Sequence, residues 1–304
     1  MKSQPITVLD GGMGRELERI GAPFKQPEWS ALAMMKAPEA VLEVHKHFIA
    51  SGAQVIMTNS YALVPFHIGE QRFLESGHAL AMEAGRVAKQ AVVESGQAVQ
   101  VAASLPPMFG SYRPDLYQSD QVNQIATPLI QGLAPYADIW LAETQSLITE
   151  ALDMKALVDL HGGEKKPFWV SFTLDDEHPS TTPLLRSGEP VEEAVVALVN
   201  AGVEAILFNC CQPEVIERAI EVTVAILSKK GATKIQVGAY ANAFPPQTKQ
   251  ATANEDLDEI RDDLSPEAYL VWANKWCQQG ATLIGGCCGI GPEHISKLRR
   301  HLGG

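Results

Sequence analysis

Residues 192–210 read EEAVVALVNAGVEAILFNC, an amphipathic segment followed past Gly202 by an unbroken apolar run. Apolar residues in 192–201 recur at a spacing near 3.6, which predicts a helix with one buried face. Residues 205–209, AILFN, show no alternation, and a short continuous apolar run reads as a strand covered on both faces. A helix leading into such a strand is the repeating unit of a parallel α/β sheet. Working outward, similar runs stand at residues 6–9, 54–58, 99–103, 139–143, 168–172, 235–240 and 282–285. Helical patterns lie between several of them, at 40–51, 77–95 and 266–280. Eight strands spaced roughly 35 residues apart predict an α/β fold closed as one (β/α)8 TIM barrel over residues 1–304, with a doubly wound open sheet as the alternative.

The bulk composition narrows the function classes. The 304 residues are 46% apolar and 20% charged, enough for a large core, and the formal net charge is −12. An acidic chain without a basic run is a poor partner for nucleic acid or for an anionic membrane surface. The N-terminal MKSQPITVLDGG has no apolar stretch of the signal-peptide kind, and no segment approaches the ~18 apolar residues of a membrane span. Five cysteines, an odd number clustered late in the chain, favour a reducing compartment over a disulfide framework, so a cytoplasmic location is expected. Residues 244–263, rich in Pro, Gln, Asn and acidic side chains, read as a long loop after the seventh strand, either a lid or a surface insertion. A homo-oligomer fits as well as a monomer, because interface helices and merely apolar surface helices look alike in one sequence.

In a barrel, chemistry gathers where the strands end. Asp10 closes the first run, Thr58 and Asn59 the second, Glu143 the fourth, Cys210 the sixth, and Cys287 with Cys288 the eighth. Buried carboxylates and thiolates need partners, so their place on one rim marks a site. Cys287 and Cys288 sit in IGGCCGIGP, a glycine-flanked turn that lets two sulfurs approach one point. With a third sulfur from the sixth strand they would form a three-thiolate zinc site with one open position. Buried inert thiols are the competing reading, and a redox couple is a further one, weakened by the lack of a CxxC spacing. Cys210 and Cys211 compete for the third place; Cys210 directly ends the apolar run, and Cys211 faces elsewhere. Cys277, on a helical stretch among Trp272, Trp276 and Gln278, reads as a packing residue. His45, His47, His294 and His301 read as surface or packing residues, and DGGMG is a weak phosphate-turn candidate without a Walker lysine.

The motifs LDGGMGRELERIG, GAQVIMTNSY, ADIWLAETQS, VEAILFNC and WCQQGATLIGGCCGIGPEHI, in that order along nearly the whole chain, resemble the homocysteine S-methyltransferase family, also called the homocysteine-binding domain. The resemblance implies a (β/α)8 barrel holding one zinc through Cys210, Cys287 and Cys288. It implies that Asp10 and Glu143 hold the amino group of homocysteine and that backbone amides around Gly11 and Gly12 meet its carboxylate. Thr58, Asn59 and Asn209 match pocket motifs of the family, and Trp29 stands where the betaine-using branch faces its methyl donor. The implied activity is methyl transfer from an onium donor (S-methylmethionine first, S-adenosylmethionine or betaine otherwise) to homocysteine, giving methionine. The implied partners are therefore homocysteine and a small methyl donor. The alternative is a zinc-containing homocysteine-binding or regulatory module without turnover. Departures from the family pattern bear on the donor: Thr144-Gln145-Ser146 follows Glu143, Ile290-Gly291 follows GGCCG, and Cys211 adds a thiol. Asn242 in GAYANAF is similar to the cobalamin-dependent methionine synthase branch.

Overall fold

The computed structural model of the chain describes residues 5–177, 181–247 and 259–303. Its strands are β1 (Thr7–Val8), β2 (Val55–Met57), β3 (Gln100–Leu105), β4 (Ile139–Gln145), β5 (Phe168–Phe172), β6 (Ala205–Asn209), β7 (Gln236–Tyr240) and β8 (Leu283–Ile284). They hydrogen-bond in the order β1-β8-β7-β6-β5-β4-β3-β2, every pair parallel. A parallel bridge between Leu9 and Val55 joins the two ends. The Gln54 amide donates to the Val8 carbonyl at 2.7 Å, and the Asp10 amide to that of Val55 at 3.0 Å. The sheet is thus closed into a (β/α)8 barrel, and the open doubly wound alternative falls away.

Helices Pro38–Ala50, Val191–Ala201 and Pro266–Gln278 stand where the 3.6-residue pattern places them. Helix Glu70–Ser95 begins at Glu70 rather than at residue 77, because Phe73 is the one buried residue in its polar first two turns. Two apolar layers result. Leu9, Val55, Ile139, Leu141, Trp169, Leu207 and Leu283 plug the barrel, and a larger shell packs the helices onto its outside. Strand side chains alternate, so Ile139, Leu141 and Glu143 share the inward face of β4, as Ala205, Leu207 and Asn209 do on β6. The same parity carries Ser104 inward from β3 and Ser171 from β5. These four polar residues, all buried, roof the apolar plug at the carboxyl end of the strands.

Among the described residues no helix is long and apolar enough to cross a membrane. The loop expected at 244–263 does follow β7, but its residues 248–258 lie outside the described residues. On its far side the Arg261 amide returns to the Ala243 carbonyl at 2.8 Å, and its guanidinium pairs with Glu214 at 2.7 Å.

Candidate active site at the carboxyl end of the barrel

One cavity of about 130 Å³ opens over this roof, lined among others by Asp10, Gly11, Gly12, Thr58, Asn59, Glu143 and the three sulfurs of Cys210, Cys287 and Cys288. Two local distortions aim its side chains. Opposite β5, strand β4 carries a register shift between Ala142 and Gln145, and Thr144 within it has a φ of 59°. Such a bulge re-aims the side chains beside it. Cys210, directly after β6, has a φ of 54°. Strict alternation after inward Asn209 would send Cys210 outward and Cys211 inward. The left-handed turn reverses this: Cys210 lines the cavity, and Cys211 is buried in the shell between barrel and helices. Holding a residue with a Cβ in that region costs about 1–3 kcal/mol, which the surrounding bonds must offset.

Asn209 does not line the cavity. Its side-chain oxygen accepts from the Thr144 amide at 3.0 Å and from Ser171 Oγ at 2.6 Å, and its amide nitrogen donates to Thr144 Oγ1 at 2.8 Å. It braces the β4 bulge from below. Thr58 and Asn59 do line the cavity, and both are also tied to its frame. Thr58 Oγ1 accepts from the Ser104 amide at 3.0 Å, and Asn59 Nδ2 donates to the Ser30 carbonyl at 3.1 Å.

The three sulfurs lie within 4.8 Å of one another, with Cys287 Sγ donating to Cys210 Sγ at 3.2 Å. Sulfurs around one tetrahedral zinc sit about 3.8 Å apart, given Zn–S bonds near 2.3 Å. The triad brackets that spacing, so small side-chain shifts would close it on one ion, and the donor set fits zinc. Without a cation the sulfurs crowd one another. Hydrogen bonds from Cys210 and Cys287 hold the Cys288 thiol well below the ordinary thiol range, while the contacts with Cys210 and Cys288, then burial, push Cys287 well above it. All three could ionise together at this spacing only with a cation's charge among them.

Two carboxylates face the same space. Asp10 Oδ2 accepts from the Met57 amide at 2.8 Å, while its buried Oδ1 has no partner among the described residues. Burial pushes the Asp10 carboxyl well above its usual range, against the pull of the Met57 amide, and the charge of Glu143 raises it further. Glu143 accepts from Ser104 Oγ and, at 3.2 Å, from the Tyr240 hydroxyl. Burial nonetheless pushes its carboxyl up to about 7, with the nearby Cys210 adding to the rise. An orphaned buried oxygen and a second carboxylate of raised pKa make a seat for a cation with several hydrogen-bond donors, such as an ammonium group.

The glycines of the first turn serve close approach. A Cβ on Gly12 would lie 2.6 Å from the Cys287 carbonyl oxygen, and one on Gly11 would lie 2.3 Å from that of Ile290. The β1 turn is thereby pressed against the loop carrying Cys287 and Cys288. The Gly12 amide is spent on the Ile290 carbonyl at 2.9 Å. Gly12→Ala is expected to lower stability by about 1–3 kcal/mol, because the clash is with backbone that has no rotamer to yield. It should also lower metal content, and a melting curve with metal analysis on the same sample checks both.

Trp29 lines the cavity, with its indole N–H donated to Gln26 Oε1 at 2.8 Å. Tyr61, Tyr240 and Arg15 also line it, and none of the three stands out in the sequence alone. Tyr61 was within reach as the last residue of the GAQVIMTNSY motif. Arg15 was within reach as the one cation of the first turn. Tyr112, whose hydroxyl meets Cys210 Sγ at 3.0 Å, stands in a loop with no periodic signal to mark it.

The comparisons with known proteins agree with this architecture along its length. The family model described as homocysteine S-methyltransferase matches residues 7–302. A relative in Arabidopsis thaliana, homocysteine S-methyltransferase 1, is 28% identical over 324 residues, covering 97% of this chain and 93% of its own. Selenocysteine methyltransferase of Astragalus bisulcatus is 26% identical over 333 residues, covering 97% of this chain and 92% of its own. The metallated form of the homocysteine methyltransferase MmuM from Escherichia coli superposes with a TM-score of 0.76 at 26% identity, covering 98% of this chain and 96% of that one. With the family model spanning the barrel from its first strand to its last helix, this chain belongs to the homocysteine S-methyltransferase family and is a thiol methyltransferase.

Proposed function

We propose that this chain transfers a methyl group from an onium donor to homocysteine, giving methionine, with S-methylmethionine as the leading donor and zinc held by Cys210, Cys287 and Cys288. The observation that carries the reading is the meeting of the sulfur triad and the two carboxylates in one small cavity. Zinc bound there supplies a Lewis acid that favours the deprotonated form of a coordinated thiol at neutral pH. Asp10 and Glu143 receive the ammonium group of the amino acid and so fix which end of it points toward the sulfurs. Ser104 and Tyr240 hold Glu143 in place, and the Thr58 hydroxyl holds the Ser104 amide. Arg15, in the cavity wall and paired with Glu18 at 2.8 Å, brings a positive charge to a site that must take a zwitterion's carboxylate.

The transfer is an in-line displacement. The acceptor thiolate forms a bond to the methyl carbon, the bond from that carbon to the donor's onium centre breaks, and its electron pair leaves with the donor, which departs neutral. Aromatic faces suit the cationic donor, and Trp29 and Tyr61 supply them at the cavity wall. Trp29→Ala is expected to raise the KM for the donor by about 2–30-fold, the equivalent of about 0.5–2 kcal/mol of cation–π attraction. The KM for homocysteine should stay nearly unchanged, and steady-state kinetics with each substrate varied in turn separates the two.

The names of the relatives span sulfur and selenium acceptors. The deciding experiment is a screen of the zinc-loaded chain with homocysteine against S-methylmethionine, S-adenosylmethionine and betaine. Methionine formed fastest from S-methylmethionine supports the reading, and no methionine from any of the three refutes it.

A further inference from the structure

Cys210 is held in its left-handed conformation by a buried array that no strand pattern announces. The Tyr112 hydroxyl lies 3.0 Å from Cys210 Sγ and 3.3 Å from its carbonyl oxygen. Thr173 Oγ1 donates to the same carbonyl at 3.2 Å, and Arg186 Nε donates to Thr173 Oγ1 at 3.3 Å. The Arg186 guanidinium also stacks on the Tyr112 ring, 4.6 Å from its centroid. Asp176 pairs with Arg186 at 2.9 Å, and both side chains are almost wholly buried, at 0% and 4% exposure. The second Asp176 oxygen accepts from the Gln212 amide at 3.2 Å, two residues beyond Cys210. The Gln247 backbone closes the other side, donating to Asp176 at 3.1 Å and accepting from Arg186 at 2.9 Å.

A buried ion pair is weak evidence for stability alone, since apolar side chains of similar volume fill such space as well. Here one hydrogen bond of the pair ends on Thr173, which touches Cys210, another on Gln212 in the turn after it, and the guanidinium stacks on Tyr112, while the Gln247 backbone holds the pair from the other side. We propose that Tyr112, Thr173 and the Arg186–Asp176 pair are positioning residues for Cys210: they fix its strained backbone and aim its sulfur at Cys287 and Cys288. The phenol O–H also withdraws electron density from that sulfur. Three cysteine thiolates overbalance a divalent metal, and a hydrogen bond to one of them relieves part of the excess so that a further, anionic thiol can join.

This inference rests on the three cysteines holding a metal, and its test separates the two. The full chain is loaded with cobalt(II), and its thiolate-to-cobalt charge-transfer band and its rate of metal loss to a chelator are followed without any substrate. Wild type should show the band; a chain that takes up no cobalt overturns both the metal reading and this one. Tyr112→Phe keeps the ring under Arg186 and removes only the hydroxyl. It should shift the band to longer wavelength, because a sulfur relieved of its hydrogen bond gives up charge more easily, and should speed metal loss by about 10–100-fold. Arg186→Gln should speed loss to a similar degree, with partial recovery in Arg186→Lys. A Tyr112→Phe protein with the wild-type band and release rate would overturn the proposal. So would an Arg186→Gln protein that melts at a lower temperature yet holds cobalt as wild type does, since its role would then be stability alone.

Discussion

Cys287→Ser is expected to lose metal retention and methyl transfer together, with kcat falling by about a thousandfold or more, while the barrel stays folded. The size reflects the ion that the sulfur triad would hold in place. A Lewis acid contributes several kcal/mol to such a reaction, and about 4 kcal/mol is a factor of a thousand. Serine is nearly isosteric but a far weaker ligand for a borderline-soft ion. Cys287 lies 3.2 Å from Cys210 and shares the cavity with Cys288, so two sulfurs alone would leave the ion with two open positions. Fold survival is expected because β8 ends at Ile284 and the Cys287 backbone amide still donates to the Ala241 carbonyl at 2.9 Å. Metal analysis, far-UV circular dichroism and a methionine assay on one preparation check the three parts. Cys211→Ser is the control, since Cys211 lies in the shell outside the barrel and should leave metal content unchanged. A Cys287→Ser chain that turns over at the wild-type rate without metal would remove the triad from the reaction.

Glu143→Gln is expected to weaken binding of the amino acid by about 30-fold to several thousandfold. Truncating one partner of a buried hydrogen-bonded charge pair costs about 2–5 kcal/mol, and each 1.4 kcal/mol is tenfold. The pH dependence gives a sharper signature. In the ligand-free chain the Glu143 carboxyl sits at about 7, so below that pH it holds a proton that an incoming ammonium group must displace. Affinity should therefore fall by up to about tenfold per pH unit as the pH drops below 7, and level off above it. The free protein shows the opposite sign in stability. From the ordinary 4.5 up to about 7 the folded chain binds more protons at Glu143 than the unfolded chain does, so this group subtracts stability as pH rises through that window. Calorimetry with methionine, whose sulfur carries no proton, isolates the carboxylates from any thiol ionisation. Glu143→Gln should flatten the slope, leaving only the share due to Asp10, which burial also raises. An unchanged slope in the variant would assign the titration elsewhere.

The barrel is legible in the sequence because its strands carry short apolar runs at regular intervals, and the run 205–209 corresponds residue for residue to β6. Residue parity also foretells that Glu143 and Asn209 face inward, once Leu141 and Leu207 are taken as core. Past those two residues the pattern stops informing. Parity alone sends Cys210 outward, and only its φ of 54° turns the sulfur into the cavity. A non-glycine residue gives no sequence sign that it will adopt that conformation. Tyr112, Thr173, Asp176 and Arg186 escape notice for a related reason: they stand past the ends of β3 and β5, where hydrophobic period stops and long-range bonds decide placement. The close approach of Gly12 to Cys287 joins residues at opposite ends of the chain, so only the closed barrel reveals why a side chain cannot stand there.

The most direct test of the metal and acceptor site is X-ray absorption at the zinc edge of the zinc-loaded chain, before and after addition of homocysteine. Before addition, three sulfurs at about 2.3 Å with one lighter ligand are expected, and after it four sulfurs, the added one from the substrate thiol. A sulfur count that does not change with homocysteine, in a chain that still forms methionine, would contradict a substrate thiol bound to the metal.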